Sequence, residues 1–227
     1  MSSCATRTPA LGERWRGAAL VGIDLSPEML AEARRADVAG RARWIEGDVG
    51  TWEPDRDARP ALLVSNACLQ WIPDHARLVP RLVDAVAPGG VLAVQMPNNF
   101  EMPSHALARE LAAEPPFAAH VRLAPPSVLS AAAYYRLIAA CDGVEAVDLW
   151  ETDYLHVLRG DDPVVAWARG TTLLPIVGPL EAADPTLAAR FLDRYRARVA
   201  AAYPRERDGA TLFPFKRLFF VLRKKTA

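Results

Sequence analysis

The stretch Leu20-Val21-Gly22-Ile23-Asp24-Leu25-Ser26-Pro27-Glu28-Met29-Leu30 constrains this chain's fold more than any other. A short apolar run ends in an acid, and a helix start follows at once. Ser26 is placed to cap that helix, Pro27 suits its first position, and Glu28 lies at the positive end of the helix dipole. In nucleotide-binding α/β sheets, an acid at the tip of the second strand accepts hydrogen bonds from ribose hydroxyls. A glycine-rich loop after a first strand ordinarily stands upstream, yet Asp24 has only 23 residues before it.

The rest of the chain continues the alternation of short apolar strands and amphipathic helices that builds a parallel sheet covered on both faces. The pattern predicts a helix at Pro9–Trp15, a strand at Ala19–Asp24, a helix at Pro27–Ala36 and a strand at Ala42–Glu46. The polar loop Glu53–Asp57 leads to a strand at Ala61–Asn66, a helix at Asp74–Val86 and, after the Pro88-Gly89-Gly90 turn, a strand at Val91–Met96. Beyond Pro97 the pattern predicts helices at Ser104–Ala113 and Val128–Ala140, separated by a proline-rich stretch from Pro115 to Pro126. A long strand at Val144–Val157 follows, then helices over Asp162–Ala202 interrupted at Pro175 and Pro179, and a last strand at Leu218–Leu222. The long helical segments would roof a pocket at the carboxyl ends of the strands, where open α/β sheets bind ligands.

Composition narrows the class. With 227 residues the chain can build a sizeable core. Lys+Arg and Asp+Glu both total 27, so bulk charge offers no attraction to nucleic acid or to an anionic membrane. Cys4, Cys68 and Cys141 are scattered, against a disulfide framework or a zinc site, and they suit a cytoplasmic setting. No apolar run reaches the roughly 18 residues of a membrane span, and Met1–Ala10 lacks the apolar core of a signal peptide.

Three polar residues end predicted strands. Asp24 reads as a ribose ligand, because Ser26 already supplies the helix cap; the alternative is a simple helix-leading acid. Asp48, in Glu46-Gly47-Asp48-Val49, can accept from an exocyclic amine such as adenine N6, or can merely form a Gly-Asp turn. Asn66 either faces the ligand or ends its strand by bonding its own backbone. Cys68 reads as a small buried filler. Of the histidines, His75, His105, His120 and His156, none has metal-ligand spacing; His75 reads as solvated, and His156 as structural or facing a pocket from Trp150–His156. Lys216-Arg217 reads as a solvated strand start or an anion contact. There is no P-loop and no nucleophile elbow.

Together the acid-tipped strand, Gly47-Asp48, Asn66 and Pro88-Gly89-Gly90 resemble class I S-adenosylmethionine (SAM)-dependent methyltransferases. Longer strings resemble, more narrowly, the trans-aconitate 2-methyltransferase family: Ile23–Arg34, Asn66–His75 and Val91–Asn99. The likeness continues through Tyr134-Tyr135, Trp150, Tyr154, His156, Trp167, Gly170-Thr171, Pro175, Phe191-Leu192, Arg194-Tyr195 and Arg217-Leu218-Phe219, and covers roughly Thr8 to Arg223.

The resemblance implies a Rossmann-like class I methyltransferase sheet with helical cap insertions at about 98–140 and 158–212 in one domain spanning residues 1–227. In the family a first strand and its glycine-rich loop precede the helix that ends here at Trp15, so the resemblance also implies a domain incomplete at its N-terminus, lacking that central strand. It implies methyl transfer from SAM to a carboxylate of trans-aconitate or a similar small polycarboxylic acid, by a cytoplasmic monomer. SAM contacts are then expected from Asp24 and Leu25, Asp48 and Val49, and Asn66. Acid contacts are expected from Tyr134, Tyr154, His156, Trp167 and Arg217, with no catalytic base and no metal. Leu174 departs from the pattern, standing where related sequences often carry Arg before the proline. The competing readings are a related methyltransferase acting on another carboxylate, such as an acyl-thioester acid, and a non-catalytic or truncated methyltransferase-like protein.

Overall fold

A computed structural model describes residues 8–37, 39–55 and 58–226. Cys4 and two positions of the predicted polar loop, Arg56 and Asp57, lie outside the described residues. The chain begins with α1 (Thr8–Arg14), β1 (Leu20–Asp24), α2 (Pro27–Ala36), β2 (Ala42–Glu46), β3 (Leu62–Asn66), α3 (His75–Ala85) and β4 (Val91–Pro97). There follow α4 (Pro103–Ala112), α5 (Ala131–Ala139), β5 (Val144–Leu158), α6 (Pro163–Arg169), α7 (Leu174–Ala183), α8 (Pro185–Ala202) and β6 (Thr211–Lys224). Short 3-10 turns stand at Leu69–Trp71 and Phe117–Ala119.

Contacts divide the chain into two units. The first holds the residues up to Met96, Ser127–Trp150 and those from Phe219 onward; the second holds Pro97–Pro126 and Glu151–Leu218.

In the first unit the expected caps form. The Ser26 hydroxyl accepts the Met29 N–H at 3.2 Å with Pro27 opening α2, and the Asp74 carboxylate accepts the Arg77 N–H to start α3. β1 and β2 pair in parallel from Leu20↔Ala42 to Asp24↔Glu46. Gly22 faces Trp44 in that register, and a Cβ on Gly22 would lie 2.3 Å from the indole ring. Only glycine fits under the ring there. β3 and β4 pair in parallel from Leu62↔Val91 to Asn66↔Gln95. The turn before β4 needs its glycines: Gly89 has φ +72°, and a Cβ on Gly90 would meet the Ala61 carbonyl at 2.8 Å.

The strands form two sheets, β1-β2 and β3-β4-β6-β5. Among the described residues, β1 and β3 each have one strand neighbour. Val21 on β1 and Val64 on β3 are 55% and 46% exposed, whereas the strands of an unbroken parallel sheet are buried on both faces. Behind β4 the first unit buries Leu78, Val79, Leu82 and Val83 of α3, Leu92, Val94 and Met96 of β4, and Ile138 of α5.

The second unit has its own core, from Ala108 and Leu111 on α4 through Ile176 and Leu180 on α7 to Phe191, Tyr195 and Val199 on α8. Two sequence expectations are corrected. Pro179 does not interrupt a helix but lies inside α7; the breaks fall between Arg169 and Leu174 and at Asp184, which caps α8. An interior proline removes the bond to the carbonyl four residues back and crowds it, yet α7 continues past Pro179 to Ala183. The last strand runs Thr211–Lys224, much longer than Leu218–Leu222; Pro214 and the pair Lys216-Arg217 had concealed it, although Phe213 is buried. β5 lies at the edge of the four-stranded sheet and carries Glu145, Asp148, Glu151 and Asp153.

Ladder bonds on one side only leave β1 and β2 easier to open than β4, which is paired on both sides and buried. Native-state hydrogen exchange is expected to be faster at Leu20–Asp24 and Ala42–Glu46 than at Val91–Met96. Equal protection in both segments would contradict that ranking.

Candidate functional site

The parallel register of β1 and β2 brings two acids to one end of the sheet. The Asp24 carbonyl accepts the Gly47 N–H at 3.0 Å, tying the two strand tips together just before Asp48. The Asp24 Oδ1 accepts the Ser26 N–H at 2.9 Å, which orients the carboxylate. The Asp48 Oδ1 accepts the Gly50 N–H at 2.7 Å, and the Asp48 carbonyl accepts from Thr51 and Trp52, closing a compact turn. A Cβ on Gly50 would lie 2.9 Å from that carboxylate oxygen. Each acid thus spends one oxygen on its own loop, and its second oxygen suits donors such as ribose hydroxyls or an adenine amine. Beside them Leu25 is 66% exposed, an apolar side chain at a strand tip.

Arg81 of α3 reaches this turn. Its guanidinium donates to the carbonyls of Val49 at 2.7 Å, Gly50 at 2.6 Å and Trp52. Sequence reasoning missed Arg81, since carbonyl acceptors leave no residue-type pattern to read.

Asn66 ends β3 opposite Gln95, and the next residue, Ala67, has φ +52° with its N–H on the Gln95 carbonyl at 2.9 Å. A non-glycine residue held in this region at a strand tip is backbone strain of the kind that gathers at ligand sites. Cys68 is half-buried rather than buried.

Tyr134, expected as an acid contact, is fully buried in the first unit beside His75. His75 Nε2 lies 2.9 Å from the Leu69 carbonyl, which can only accept. Nε2 therefore carries the hydrogen, and Nδ1 accepts from the Tyr134 hydroxyl. The Leu129 N–H also donates to that hydroxyl, at 3.2 Å. Burial pushes the Tyr134 pKa up to about 12 and lowers that of His75. The Tyr134 hydroxyl is thus used by the fold. His75, read from sequence as solvated, is buried because its ring pins the turn at Leu69 to α5.

In the second unit, Tyr154, His156, Trp167 and Arg217 come together. The Arg217 guanidinium lies over the rings of Tyr154 and Phe215, 5.3 Å from each centroid. His156 stacks obliquely on Trp167 at 4.6 Å, and Phe215 is within 6.0 Å of Trp167. Burial, and then the Arg217 charge, lower the His156 pKa, so its imidazole is held neutral. Phe215 was absent from the sequence reading as a site residue; it hid in the unrecognised first half of β6. Such a nest keeps a cation oriented in an apolar setting, which suits a carboxylate ligand. Leu174, at the start of α7, is 61% exposed. Among the described residues no group of His, Cys, Asp and Glu can hold a metal ion.

A methyltransferase domain profile matches residues 4–90. The chain is 46% identical to the trans-aconitate 2-methyltransferase of Methylobacterium nodulans over 96% of its own length and 82% of that protein's. It is 44% identical to the Streptomyces coelicolor enzyme of the same name, over 96% and 72%. The chain belongs to the trans-aconitate 2-methyltransferase family. These are SAM-dependent enzymes, and the fold agrees. A SAM-dependent methyltransferase from Mesorhizobium loti superposes with a TM-score of 0.51 at 18% identity, covering 98% of this chain and 88% of that one. The YcgJ protein of Bacillus subtilis gives 0.57 at 14% identity, covering 98% and 89%.

The second unit also holds a pH-sensitive group. His105 bridges the hydroxyls of Ser104 at 3.1 Å and Thr172 at 2.8 Å, and burial together with the Arg109 charge lowers its pKa to about 4. The unfolded chain takes up this proton near pH 6.5, before the folded one does. The contribution of His105 is therefore complete above pH 6.5 and is lost as pH falls toward 4. The melting temperature is expected to fall between pH 6.5 and 4 more steeply in the wild type than in His105→Gln; parallel slopes would contradict this.

Proposed function

We propose that this chain transfers a methyl group from SAM to one carboxylate of trans-aconitate or a similar small polycarboxylic acid, forming a monomethyl ester. The likeness to the curated relatives carries the choice of acid, and the cation nest at Arg217 supports it by its chemistry. When bound, SAM supplies a methyl group already activated by its sulfonium.

The acceptor carboxylate is ionised at pH 7, so the chain needs no general base. Its tasks are to align the two partners and exclude water. Asp24 would accept the ribose hydroxyls and Asp48 the adenine amine, with Leu25 and Val49 alongside and Asn66 toward the methyl-transfer end. Arg217 would take a substrate carboxylate through paired N–H donors while Tyr154 and Phe215 hold its plane. His156 and Trp167 would line the acid's side with neutral surface. The small-molecule acid is the partner in this reading, and the enzyme works as a cytoplasmic monomer.

A second reading, methylation of another carboxylic acid, has Leu174 in its favour: it is exposed and apolar, at the position where the resemblance implies an Arg. A panel of trans-aconitate, simpler dicarboxylates and acyl-thioester acids separates the two, and the highest kcat/KM is expected on trans-aconitate. A higher value on a monoacid would move the assignment to the second reading.

Two substitutions test the residues. Asp24→Ala is expected to weaken SAM binding by about tenfold or more, the order for a hydrogen bond to a charged group, with little change in melting temperature. A folded variant with unchanged SAM affinity would remove Asp24 from the cofactor site. Arg217→Met is expected to raise the KM for the acid by about 10- to 100-fold on the same scale while leaving SAM affinity intact. An unaltered acid KM would exclude Arg217 as the anchor.

A further inference from the structure

We propose that Arg81 is a positioning residue for the cofactor site, holding the Asp48 turn in place through three backbone carbonyls. The inference rests on the reading of Asp48 as the adenine acceptor. A guanidinium presents five N–H donors in a rigid planar fork. Here one terminal nitrogen donates to both Val49 and Gly50, and the other donates to Trp52. A positively charged donor makes these bonds stronger than neutral ones. Their three acceptors are nearly consecutive and directly follow Asp48, so they fix the turn's orientation as well as its position.

The helix behind the fork is firmly seated. Arg81 is flanked on α3 by Leu78, Val79, Leu82 and Val83, all buried. The turn in front of it is less well held. Among the described residues the β1-β2 pair shares no ladder with β3-β4, so the tip of β2 lacks the bracing that a continuous sheet would supply. Arg81 spans that break, joining the turn after β2 to the helix that follows β3.

A depression of about 350 Å³ adjoins the fork, lined by Gly50, Ile72, Pro73, Asp74, Arg77 and Leu78 with Arg81 itself. When the guanidinium is removed, water can enter there and solvate the three carbonyls. The fold then survives, but the turn gains freedom and Asp48 loses its fixed aim. A purely structural arginine would instead lower stability and leave the affinity of the folded fraction unchanged.

The experiment uses the full chain and four variants: Arg81→Met, Asp48→Ala, the double variant, and Asp24→Ala as control. Calorimetry gives the SAM dissociation constant, steady-state kinetics separate KM from kcat, and melting curves report folding. Arg81→Met is expected to weaken SAM binding and raise the KM for SAM by about tenfold, within the range of coupling between contacting groups. The kcat at saturating SAM and the KM for the acid should stay within about twofold, the spread expected of uncoupled sites. In the Asp48→Ala background the same substitution should cost little further, because its effect passes through Asp48. Unchanged SAM affinity in folded Arg81→Met, or an equal loss in both backgrounds, would overturn the proposal. If Asp24→Ala weakens SAM binding and Arg81→Met does not, the inference alone fails. If neither does, the cofactor reading fails with it. Should Arg81→Met not fold, Arg81→Lys keeps the charge but not the fork and is expected to show an intermediate loss of SAM affinity; wild-type affinity there would overturn the proposal equally.

Discussion

The acid-bearing strand tips of the first unit depend on one short parallel pairing, that of β1 with β2. Parallel strands finish at the same end, so a register running from Leu20↔Ala42 to Asp24↔Glu46 delivers Asp24 and Asp48 as neighbours. Strand register is fragile in general, since a slip of one residue turns every side chain to the other face. Trp44 over Gly22 guards against it: any slip would bring a Cβ under the indole. Around this pairing the caps, the Gly47 to Asp24 bond and the Asp48 turn are local consequences of chain chemistry.

The second unit solves a different problem, that of keeping a cation oriented within an apolar surrounding. The rings of Tyr154 and Phe215 beneath the Arg217 guanidinium do part of this work through cation–π contact. The neutral imidazole of His156 fits that arrangement, for a second cation beside Arg217 would be repelled. Elsewhere buried polar groups serve the fold. Tyr134 with His75 and His105 with its two hydroxyls are satisfied pairs that hold turns and helices in register.

Much of this was legible in the sequence because the signals were local. The acid after an apolar run, Ser26-Pro27, and Pro88-Gly89-Gly90 each act within a few residues, and α2, β2 and β4 fall where they point. What escaped was set by partners distant along the chain. Arg81 meets carbonyls about thirty residues upstream, and any residue type can supply a carbonyl. His75 looked like a solvated helix start until α5 folded over it. β6 was cut short because Pro214 and two basic residues broke its apolar pattern, and with it went Phe215 and its place against Arg217.

The long edge strand β5 carries a further consequence. A strand at the edge of a sheet is a template on which a second polypeptide can add, and β5 offers fifteen residues of it. Glu145, Asp148, Glu151 and Asp153 lie along that strand; among the described residues Arg223 pairs with Glu145 and the Asn98 amide donates to Glu151. A second strand of the same sequence laid along that edge would add its own negative charge to these acids. Charge of one sign along a strand edge makes it a poorer template for such an addition than an apolar edge would be.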